Sequence, residues 1–169
     1  MTTIVPDPEL ATDARSLVRL LDSVLDTVVS TYARAGVALP ERRYWTLQMP
    51  AADCEQLVVS LMGMYIGPPG DQAATPQRCH SPRTATLNVQ VLRAIPTSSG
   101  RMNVPPSAAA IQSASELLAI DSWLLLEAAA DTDRWNDGMP GFGVIATITA
   151  GQAQGGFQGP TLVLALAVP

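Results

Sequence analysis

The chain reads as an α+β domain, a mostly antiparallel or mixed sheet with two long helices packed on it as a sandwich. Three observations predict this class. Two long segments repeat apolar residues at three- and four-residue steps, and several shorter segments alternate apolar with polar residues. The length of 169 residues is that of one ordinary domain.

Residues 1–12 are acidic and proline-rich and precede any periodic pattern; they are expected to form an N-terminal arm, with 13–169 as the single structural domain. Thr12 is placed to cap a helix whose first turn holds Asp13. Leu17, Leu20, Leu21, Val24, Leu25, Val28, Val29 and Tyr32 then fall on one face, while Arg15, Arg19, Asp22, Ser23 and Asp26 fall on the other. The spacing predicts a helix over 13–34, ending near Gly36. Residues 43–49 alternate, with Trp45, Leu47 and Met49 together, and 54–65 alternate with Leu57, Val59 and Leu61 together. The stretch 67–83 is dense in Gly and Pro and reads as a long loop. The clearest strand is 84–95, with Leu87, Val89, Val91 and Ile95 on one side and Thr86, Asn88 and Gln90 on the other.

Pro105 and Pro106 suit a first helical turn. Ile111, Ala114, Leu117, Leu118, Leu124, Leu125 and Ala128 mark a second helix over 106–130. Residues 131–140 read as a turn or arm. Strands are expected at 143–149 and 161–168, joined by the Gly- and Gln-rich stretch 150–160. The order is α-β-β-β-α-β-β with hairpin-like neighbours and no internal repeat.

Composition narrows the function. Hydrophobic residues make up 47% of the chain and charged residues 15%, enough to fill a core but too few charges to cover a surface. Apolar or neutral surface is therefore expected at contacts between subunits, and a homo-oligomer is the first expectation. The net charge is −5, and all ten basic residues are Arg. A duplex-wrapping protein needs a basic face, which this balance disfavours. The N-terminus lacks the pattern of a secretory signal, and the longest apolar run, Leu162 to Val168, is far short of the ~20 residues that cross a bilayer. An intracellular site of assembly, with no membrane partner, is expected. Cys54 and Cys79 are read as buried thiols and not as a bridge.

No catalytic, cofactor-binding or metal-binding residue is assigned. His80 beside Cys79 lacks the further ligands that zinc needs and the separately placed base that a thiol nucleophile needs. Asp133 to Gly138 matches part of a calcium loop, but Trp135 and Val144 stand where ligands are required. The glycines at 141, 143, 155, 156 and 159 are followed by strand-type residues, whereas a phosphate cradle opens directly into a helix. Asp121 lies among apolar neighbours in the second helix, with Glu116 and Glu127 badly placed to pair with it; it reads as a carboxylate at the edge of the apolar stripe, paired with an Arg.

The runs Asp53-Cys-Glu-Gln-Leu57, Gly67-Pro-Pro-Gly70, Arg78-Cys79, Ser81-Pro-Arg-Thr84, Val91-Leu-Arg-Ala-Ile-Pro96, Asp121-Ser-Trp-Leu-Leu125 and Gln154-Gly-Gly-Phe-Gln158, with the closing strand Leu162 to Pro169, carry a resemblance. Together, over residues 12–169, they resemble the tail terminator proteins of actinobacterial siphophages, from the head-to-tail connector region. One departure is Ala94, where several relatives are expected to have Cys. The resemblance implies a sheet with two flanking helices and a hexameric ring that caps the head-proximal end of the tail tube. It also implies a virion (neck or tail) location after assembly in the host cytoplasm, with the tail tube protein and the head–tail connector or stopper as partners. Genomic DNA would pass through the bore without specific binding; no cofactor is implied. A stopper or a tail-tube subunit is the alternative within this class, and a small α+β enzyme or ligand-binding module the alternative outside it. The loop 67–83 is too long for a bare connection, so Arg78 and Arg83 are expected at a subunit contact, as are Trp135 and Phe157.

Overall fold

Two helices lie on one face of a six-stranded mixed sheet, the α+β arrangement expected from the periodicities. The computed structural model describes residues 8–70, 83–98, 104–131, 145–151, 153 and 155–168, with side chains from Arg15 onward. The elements are α1 (Pro8–Ala35), β1 (Arg42–Thr46), β2 (Gln56–Ile66), β3 (Arg83–Ala94), α2 (Ala108–Ala130), β4 (Ile145–Thr149), β5 (Phe157–Gln158) and β6 (Thr161–Val168).

Helix α1 starts earlier than its apolar periodicity, so Thr12 is inside it and part of the stretch read as an arm is helical. Pro8 is a good first helical residue, because its fixed φ suits the turn and its missing N–H has no intrahelical partner there anyway. The other end stops where Gly36 takes φ +68°. Gly36 N donates to Ala33 O at 3.2 Å and Val37 N to Tyr32 O at 3.1 Å, a Schellman closure that satisfies the last carbonyls. Leu21, Val24, Val28 and Tyr32 are fully buried, while Arg15, Arg19, Asp22 and Asp26 face solvent, as the spacing predicts.

The sheet order is β1-β2-β3-β6-β4, with β5 also against β3. Every pairing is antiparallel except β1 with β2. That parallel pair differs from the hairpin expected there. Residues 47–55 return the chain to the starting end of β1, placing Gln56 opposite Arg42. The first strand also ends at Thr46, so Leu47 and Met49 lie beyond it and are 56% and 74% exposed. β3 and β4 run the same way on either side of β6, and α2 makes the crossover between them.

Register explains the core. Leu57, Val59 and Leu61 oppose Val91, Val89 and Leu87, and the last two of these oppose Leu162 and Leu164. This face meets Leu21, Val24 and Val28 of α1 and Leu124, Leu125 and Ala128 of α2. Past Leu61 the register shifts by a bulge, which turns the end of β2 and leaves Met64 and Ile66 exposed.

Helix α2 begins two residues later than expected. Pro105 and Pro106 precede the cap, and Ser107 Oγ accepts from Ala110 N at 3.2 Å. Ile111 is outside the core and 51% exposed. Phe157 and Gln158, expected to lie in a connecting stretch, form β5: Gly155 and Gly156 at φ +60° and +85° turn the chain back, and Ile95 N donates to Gly156 O. The segments 131–140 and 67–83 lie largely outside the described residues, as do 143 and 144.

Candidate subunit-contact surface

The one fully buried carboxylate among the described residues is that of Asp121, inaccessible in the middle of α2. Its carboxylate receives a fork from Arg93 of β3, with Nε to Oδ2 and Nη2 to Oδ1 both at 2.9 Å. Tyr32 of α1 donates its hydroxyl to Oδ1 at 3.0 Å, and Arg93 Nη2 also donates to Ala38 O at 2.9 Å. Three elements are thereby joined through one carboxylate. The Arg pairing expected for Asp121 is present, but in full burial and not at the stripe edge. The Asp121 hydrogen bonds hold the Arg93 guanidinium more firmly charged than usual. Burial, then the Asp121 charge, pushes the Tyr32 hydroxyl well above its ordinary pKa. Both Asp121 oxygens and the Tyr32 hydroxyl are matched within the cluster, so the arrangement serves as an internal fastening.

A second cluster is at the β1 edge. Arg42 Nη1 donates to Asp53 Oδ1 at 3.2 Å and to Cys54 Sγ at 3.0 Å, with the guanidinium 5.0 Å from the Tyr44 ring centre. The contact with Cys54, more than that with Asp53, raises the Arg42 pKa further. Tyr44 donates to Gln56 Oε1 at 3.0 Å, and buried Gln56 donates on to Ala51 O at 2.6 Å. These bonds fasten the return loop 47–55 to the sheet. Cys54 is a free thiol and half-buried, more accessible than expected.

A shallow cavity of about 130 Å³ lies between α2 and the β4–β6 connection, lined by Leu118, Ser122, Gly151, Gln158 and Pro160 among others. Among the described residues no ionisable side chain lines it, and its volume is below the ~300 Å³ of ordinary small-ligand pockets. Among the described residues no three His, Cys, Asp or Glu side chains are grouped to hold a metal ion, and no helix is long and apolar enough to cross a membrane.

The most distinctive surface is apolar. α2 carries apolar residues on two sides: Leu124, Leu125, Ala128 and Ala129 are buried inward, while Ile120, Trp123 and Leu126 face solvent at 43%, 69% and 39% exposure, with Glu116 and Glu127 exposed beside them. Large apolar side chains grouped on an exposed face mark a contact surface. Periodicity placed the inner stripe but passed over Trp123, because a search for one apolar face discards the residues opposite it.

Of the four residues expected at subunit contacts, Arg78 and Trp135 lie outside the described residues, as do Cys79 and His80. Arg83 is exposed at the start of β3, and Phe157 is half-buried beside Ala94 at its end. The length of β3, about 36 Å at ~3.3 Å per residue, separates these two, so they do not form one patch. Compared with known proteins, the chain matches no family model, and no curated sequence is significantly similar to it.

Proposed function

We propose that this chain is a structural subunit of a virion neck, a tail terminator that forms a hexameric ring, caps the head-proximal end of the tail tube and joins it to the head connector. The observation that carries the reading is the outward face of α2, where Trp123 stands 69% exposed among apolar neighbours. A monomer gains nothing from that face; a subunit of a ring does. The α+β element order supports the same reading, since the resemblance implies a sheet with two flanking helices. The charge fits a conduit: at −5 per copy, a ring with part of that charge along its bore would repel passing DNA. The two long helices favour a terminator over a stopper, which is more often a small β-barrel, and over a β-richer tube subunit.

The test is the assembled particle. Density for this chain is expected in a single six-fold ring between tube and connector. Density elsewhere would remove the terminator reading, and many stacked rings would make the chain the tube subunit.

A further inference from the structure

We draw no further inference here: the strongest candidate, the exposed apolar face of α2 around Trp123, carries nothing beyond the proposed ring, because nothing in the structure shows what covers it.

Discussion

Asp121 shows how a single carboxylate organises this molecule. It is fully buried, and Arg93 and Tyr32 direct three hydrogen-bond donors at its two oxygens. Asp121→Ala leaves the Arg93 charge, with its side chain 11% exposed, without its counter-ion. The expected loss is about 3–5 kcal/mol, read from urea unfolding at neutral pH. Replacing both partners, as Asp121→Leu with Arg93→Met, should cost less than the single change, because no uncompensated charge then remains. Equal or larger loss in the double variant would mean that the pair contributes more than mutual neutralisation. Tyr32 adds a pH dependence of known sign. Its pKa is raised in the folded chain, so the folded state keeps a proton that the unfolded state releases above about pH 10. The stabilisation is complete below that pH and is lost as pH rises beyond it, by up to about 1.4 kcal/mol per unit from this group. Tyr32→Phe should remove this alkaline component, measured as the difference between the two stability–pH profiles.

At the scale of elements, the central position of β3 makes its close neighbours the sensitive ones. β5 and β6 both lie against β3, interrupted by Gly159 and Pro160. A Cβ at Gly159 would collide with the Val91 carbonyl oxygen, so only Gly lets the chain pass this close to β3. Gly159→Ala should push the β5–β6 junction off β3 and cost about 1–3 kcal/mol or more, read by thermal unfolding. Gly36→Ala should be milder, since nothing lies near that position and the cost is the left-handed φ alone. The order of these two effects is the check. In the core, Leu87→Ala removes a fully buried side chain between two strands and two helices, with an expected loss of about 2–5 kcal/mol.

For the whole molecule, the balance of surface properties matters more than any one residue. The chain is acidic overall, and its apolar exposed side chains include Trp123, Leu47 and Met49. A protein with this balance should associate with copies of itself and not with duplex DNA. Gel mobility of a linear duplex is therefore expected to be unchanged by the purified protein even at low salt, where phosphate contacts are strongest. A shift at low salt that disappears as salt is raised would reveal a basic surface and contradict the proposed conduit.

The sequence by itself determined the fold class, the two helices, the closing strand and the inward faces of α1 and β3, because each is a local period written in consecutive residues. It also anticipated an Arg partner for Asp121, since a carboxylate among apolar neighbours requires one. Which Arg it is, and that Tyr32 joins it, was decided by tertiary structure: 28 and 89 residues separate them from Asp121, and no local rule reaches so far. The parallel pairing of β1 with β2 likewise depends on how residues 47–55 return across the sheet, where alternation alone is blind to strand direction. The candidate contact surface emerged for the same reason. Large apolar residues occur on the inward and the outward side of α2, and only packing against the sheet and α1 decides which of them are consumed as core and which stay exposed.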